Sequence, residues 1–170
     1  MDFFRKITGC LLLIFVHASC SDTEILSGIW ESGKVDLSPV YGSGAQGHIQ
    51  LVIGHFGPQV SGIIKFFPED SPVKDFCACR YLCDAEFSSD KLEFKIPSPA
   101  PPCAPCDPQS CNSCDSGEIE KIKAVFKYDH ATDTLTEGSL MTVPAINFDS
   151  LERKTPKEDI TPDDRKCDNY

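Results

Sequence analysis

The sequence predicts an all-β fold: an antiparallel up-and-down meander of about eight strands that closes into a barrel and carries a Cys- and Pro-rich loop insertion. Three features predict it. Short segments alternate apolar and polar residues with period two, clusters of Gly, Pro, Asp and Ser separate them, and no stretch keeps the apolar repeat of a helix. A chain of 170 residues with 41% apolar content has material for one core, so a single domain is expected.

The first 19 residues stand apart from this pattern. Arg5 and Lys6 precede the apolar run Leu11-Leu12-Leu13-Ile14-Phe15-Val16, which is too short to span a bilayer as a mature helix and has the form of a cleaved signal peptide. The stretch Val16-His17-Ala18-Ser19-Cys20 is compatible with two cleavages. Val16-x-Ala18 suits ordinary signal peptidase and a free product starting at Ser19. Ala18-Ser19-Cys20 resembles the end of the bacterial lipoprotein signal, although His17 stands where that family has Leu, Val or Ile. That resemblance implies diacylation of Cys20, a lipidated linker over 20–27, and, with Ser21 rather than Asp next, transfer to the outer membrane. Two or more acyl chains anchor a protein stably. Cysteine parity favours lipidation: with Cys20 acylated, Cys77, Cys79, Cys83, Cys103, Cys106, Cys111, Cys114 and Cys167 remain, an even set.

The barrel domain is expected over 28–154, with strands at 28–33, 47–53, 59–67, 76–87, 91–96, 118–128, 134–141 and 146–153. The clearest is 91–96, where Leu92, Phe94 and Ile96 can face a core while Lys91, Glu93 and Lys95 stay wet. In 118–128, Ile122, Ala124, Phe126 and Tyr128 share one face and Lys121, Lys123 and Lys127 the other. His55-Phe56-Gly57-Pro58, Ser88-Ser89-Asp90 and Asp129-His130-Ala131-Thr132-Asp133 carry turn chemistry, so adjacent strands should pair as neighbours. Closure of such a meander removes the exposed sheet edges.

Gly28-Ile29-Trp30 opens the first strand and Leu151-Glu152-Arg153-Lys154 ends the last. This combination resembles the lipocalin-type barrel, in which a Gly-x-Trp near the start and an Arg near the end meet at the closed end. The resemblance implies that Trp30 and Arg153 form the barrel floor, with the guanidinium over the indole. It is a likeness of architecture: no C-terminal helix follows the last strand, and the cysteine insertion is foreign to that family.

Two stretches interrupt the meander. The insertion at 97–117 contains Cys103-Ala-Pro-Cys106-Asp-Pro-Gln-Ser-Cys111-Asn-Ser-Cys114, two CxxC pairs that in a reducing cytosol would be candidate zinc ligands. Ten cysteines in so short a sequence, nine of them behind the signal peptide, argue instead for oxidation, and the disulfides would staple a segment that has few apolar residues. No helix N-terminus is predicted to lower a thiol pKa, which speaks against a redox catalyst. Cys77, Cys79 and Cys83 share parity on one strand, point the same way, and must find partners elsewhere, with the insertion and Cys167 as candidates. The second stretch is a charged tail at 155–170, pinned where Cys167 pairs.

Charge narrows the function. After residue 19 the chain has 14 basic and 25 acidic residues, net −11, which repels nucleic acid and anionic lipid headgroups. His48, His55 and His130 form no metal or nucleophile pattern, and His48 and His55 read as solvated. Gly42-Ser43-Gly44 lacks the rest of a nucleophile elbow and reads as a loop; Asp129 and Asp133 read as turn residues that serve the backbone rather than calcium ligands. The expectation is a non-catalytic, lipid-anchored envelope protein without cofactor or metal, binding a small apolar ligand or an envelope partner. The alternative is a secreted interaction or inhibitor-like module acting through the 97–117 loop.

Overall fold

A computed structural model describes residues 25–69, 79–98, 114, 121–142, 144–155, 161 and 167. The elements are β1 (Gly28–Ser32), β2 (Val35–Asp36), α1 (Ser38–Tyr41), β3 (Gln46–Phe56), β4 (Gln59–Pro68), β5 (Cys79–Tyr81), β6 (Cys83–Ser88), β7 (Lys91–Pro97), β8 (Lys121–Asp129), β9 (Thr134–Leu140) and β10 (Ile146–Thr155). Every pairing is antiparallel, in the order β5-β4-β3-β1-β10-β9-β8-β7-β6, with β2 beside β3. The first and last long strands therefore pair with each other, and the meander curls into a nearly closed barrel.

Closure at the other side falls to one bent stretch. β5 pairs with β4 through Ile63↔Tyr81, Ile64↔Arg80 and Lys65↔Cys79, and the Leu82 amide donates to the Gly62 carbonyl at 3.0 Å. One residue later β6 pairs with β7 from Cys83↔Lys95, with a bulge before Glu86 and Asp84 at φ 50°. A bulge bends a strand and raises its twist, which lets the segment leave one neighbour for the next. Counted as one strand, β5 and β6 give a ring of eight with β1, β3, β4, β7, β8, β9 and β10.

Period-two alternation sorts the side chains. The pairs Leu92↔Phe126, Phe94↔Ala124 and Ile96↔Ile122 point inward, and Lys91↔Lys127, Glu93↔Val125 and Lys95↔Lys123 point out. Lysines facing lysines across a ladder repel. Glu93 answers by pairing with both Lys91 and Lys123, Asp84 with Lys95 at 2.9 Å, and Glu137 with Lys127 at 3.5 Å. Inside, Phe94 stacks on Phe126 at 5.9 Å and Phe126 lies 5.8 Å from Phe148.

The sequence leads to neither β2 nor α1, and to one strand over 76–87 where β5 and β6 stand. α1 is a single helical turn, too short to show periodicity; Pro39 suits its first turn, and the Asp36 carboxylate accepts the Ser38 amide at 2.9 Å. Leu37, Val40 and Tyr41 bury here, and the Tyr41 ring meets Phe66 edge-on at 6.0 Å. α1 leads into the start of β3, whereas residues 25–28 lie beside its far end, so the turn plugs the barrel opposite Trp30. Gly42-Ser43-Gly44 is the loop after it, with Gly42 at φ 93° and Gly44 at φ 85°, conformations open to glycine.

The plug fits because Gly47 has no side chain: a Cβ there would lie 2.2 Å from the Phe67 carbonyl oxygen and 2.9 Å from Leu37 Cδ1. Gly47→Ala is expected to lower stability by roughly 1–3 kcal/mol, as overpacking does. Chemical denaturation of the two proteins measures the difference, and equal midpoints would mean that strand and plug separate freely.

Candidate functional site

Two constellations stand out, one where β1 meets β10 and one on the seam. Across β1 and β10, Trp30 and Arg153 are register partners, and the guanidinium carbon lies 4.2 Å from the indole centroid. An arginine over an indole is held by the ring quadrupole, and more strongly where water is excluded. Trp30 is fully buried, and its Nε1 donates to the Leu26 carbonyl at 2.9 Å.

Arg153 makes a wider set of bonds. Its Nε and Nη2 form a fork on the Asp133 carboxylate at 2.9 and 2.8 Å; Nη2 also donates to the Ile25 carbonyl at 2.7 Å, and Nη1 donates to the Ser27 carbonyl. Tyr128 donates its hydroxyl to Asp133 at 2.8 Å and meets Trp30 edge-on at 6.0 Å. Planar, bidentate recognition of a carboxylate is what a guanidinium does and an ammonium does not. The hydrogen bond from Arg153 is the main reason the Asp133 carboxyl lies below its ordinary range. Burial first, and the Asp133 acceptor second, raise the Tyr128 hydroxyl.

Asp133 thus does more than the turn role its sequence position implied. Its neighbour Asp129 does take that role, accepting the Ala131 amide at 2.8 Å. Asp133 sits one residue before β9, at φ 51°, and turns its carboxylate to the end of β10. No residue pattern marks that pairing, because it links positions 20 apart through closure of the sheet.

The second constellation lies on the bent stretch of β5 and β6. Cys79 is bonded to Cys167 and Cys83 to Cys114, so both disulfides spring from the seam. One ties the C-terminal tail to the wall and the other ties the insertion, whose Cys114 carbonyl also accepts Lys121 Nζ at 2.7 Å. Cys20, Cys77, Cys103, Cys106 and Cys111 lie outside the described residues.

Between the two cysteines, Arg80 faces the interior and is fully buried, donating from Nη1 to the Cys79 carbonyl at 2.7 Å. Burial lowers its pKa, opposed by the nearby Tyr41; burial likewise pushes the Tyr41 hydroxyl well up. The parity that turns Cys79 and Cys83 outward is the signal for it, since it leaves Arg80 and Leu82 as the inward pair.

His55 corrects the expectation that it is solvated: it is the last inward position of β3, opposite Val60, and only 4% exposed. Its amide donates to Ser27 Oγ at 2.9 Å and its ring meets Phe87 edge-on at 5.5 Å. His48 lies on the outer face, half-buried and stacked on Phe67 at 4.7 Å. Among the described residues, no three His, Cys, Asp or Glu side chains gather as metal ligands.

The barrel interior is occupied by its own side chains. Trp30, Leu51, Ile64, Phe66, Leu92 and Phe126 each have 0% of their surface open to water. A chamber sized for a lipophilic ligand would leave its lining accessible from within; these side chains touch one another instead.

Asp133→Asn is expected to lower stability at neutral pH by about 1 kcal/mol, the value of a charge-assisted bond discounted for partial exposure. Because the folded carboxyl titrates below the unfolded one, the stabilisation is fully present above the unfolded value of about 4 and disappears as pH falls through the lowered folded value. The gap between wild type and variant should therefore begin to narrow below about pH 4, and a gap that stays constant as the pH falls to about 2 would refute the charge pairing. Compared with protein-family models, with curated proteins and with solved structures, the chain matches none.

Proposed function

We propose that this chain is a non-catalytic protein of the cell envelope, held at the outer membrane by lipid on Cys20, whose work is contact between the outside of its barrel and a protein partner. The insertion at 97–117 is the presenting surface. The observation that carries this reading is the combination of a filled interior with disulfides placed on the outer wall of the seam. A stapled loop on a rigid barrel loses little conformational freedom on binding, which favours partner recognition.

The cross-links support export, since disulfides persist in oxidising compartments. The parity argument for Cys20 is also compatible with them: four of the eight cysteines downstream of Cys20 are paired, and the other four are an even set. A small apolar ligand inside the barrel has less support, because its volume is taken by residues such as Phe66 and Phe126. Release by cleavage after Ala18 would give a secreted form of the same module.

Metabolic labelling with a fatty acid tests the anchor: wild type should take up label and Cys20→Ser should lose it, and label that survives the substitution would remove Cys20 from this role. Removal of residues 99–113, which spares Cys114, should abolish partner capture by cross-linking in intact cells while leaving the denaturation midpoint of the barrel close to wild type. Capture undiminished by that deletion would place recognition elsewhere on the wall.

A further inference from the structure

The two ends of the barrel carry different chemistry. At the Trp30 end the chain enters through residues 25–27, and turns at 57–58, 89–90 and 130–133 join β3 to β4, β6 to β7 and β8 to β9. Phe56 stands at the first of these turns, 54% exposed, with exposed Pro58 beside it. Ser27 holds that tip next to the chain segment ahead of β1: its Oγ accepts the His55 amide at 2.9 Å and donates to the His55 carbonyl at 3.3 Å. Charges on this rim are held in pairs, Asp90 with His130 at 2.7 Å and Asp133 with Arg153 at 2.8 Å. The insertion belongs to the other end, because it leaves β7 at Pro97 and returns to β8 at Lys121, register partners at the plugged end.

We infer that the Trp30 end of the barrel faces the lipid bilayer, with Phe56 seated in its interface, and that the plugged end points away and carries the insertion with it. This rests on the Cys20 anchor proposed above. From Cys20 to Ile25 the chain advances five residues, a reach of at most about 18 Å. The 11 residues of β3 run from the plugged end to the Phe56 turn, roughly 35 Å along the strand and about 25 Å along the axis at an ordinary tilt. So short a tether, attached at the Trp30 end, cannot bring the plugged end to the membrane. Phe56 is the large apolar side chain exposed at the end that stays within reach. One phenylalanine binds lipid weakly from free solution, but on an acylated chain its insertion is intramolecular, and the tether raises its effective concentration. Apolar burial drives the contact, since the chain's acidic surplus repels anionic headgroups.

The test uses the mature acylated chain, seated in phosphatidylcholine vesicles with brominated acyl chains, which quench an indole only at close range. Trp30 is buried and common to every protein compared, so wild type gives the baseline. Phe56→Trp should lose at least half of its added emission, whereas Met141→Trp, at an exposed position just past the end of β9 on the plugged side, should lose none. Acylated, vesicle-bound Phe56→Trp that emits as it does in unbrominated vesicles overturns the inference and leaves the anchor standing. A product without acyl mass on Cys20 removes the anchor, and the inference falls with it.

Should Phe56→Trp disturb the turn, hydrogen exchange of the unsubstituted acylated protein decides. Its Gly57 and Gln59 amides should exchange several-fold more slowly on phosphatidylcholine vesicles than those of Cys20→Ser mixed with the same vesicles. Equal rates in the two proteins overturn the orientation.

Discussion

Pairing of the first strand with the last is the constraint on which the rest of this structure depends. Without β1 against β10, the apolar faces of the meander would have no closed space to fill, and two long sheet edges would stand open. Arg153 concentrates that closure in one side chain. Its guanidinium lies over Trp30 of β1, forks onto Asp133 beyond β8, and takes the carbonyls of Ile25 and Ser27 ahead of β1. The segment ahead of β1, the end of β10 and the β8–β9 turn thus meet on one cation, which is largely shielded from water and therefore interacts more strongly than a surface arginine.

The opposite side of the ring is closed differently. No unbroken ladder runs from β4 to β7; a stretch of ten residues, Cys79 to Ser88, changes partners midway and bulges at Asp84. A seam of this kind has fewer backbone bonds per residue than its neighbours, and it is where both described disulfides attach. Covalent bracing at the point of weakest pairing links local geometry to the functional proposal, because the same bonds fix Cys114 of the insertion and Cys167 of the tail to the wall.

The interior explains why the wall is the place to look for activity. Large aromatic rings from β4, β7, β8 and β10 fill the middle of the barrel, and the α1 turn closes the end that in an open barrel would admit a ligand. Arg80 and Tyr41 add a polar pair at that plugged end, held where burial disfavours both of their charged forms. Burial of that kind rigidifies a core when its groups are satisfied.

Much of the fold was legible in the residues because period-two alternation is a local property. Leu92, Phe94 and Ile96 against Lys91, Glu93 and Lys95 declare a strand and its inner face without reference to any partner, and turn residues declare that neighbours pair. Cysteine parity on 77–83 declared that Cys79 and Cys83 seek partners off their own strand. Local pattern could not show what depends on positions distant in sequence. The fork from Arg153 to Asp133, the burial of His55 at the end of β3, the division of one strand into β5 and β6, and the choice of Cys167 for Cys79 all required the sheet to close first. Alternation sets which way each side chain points; only closure in three dimensions sets what it meets.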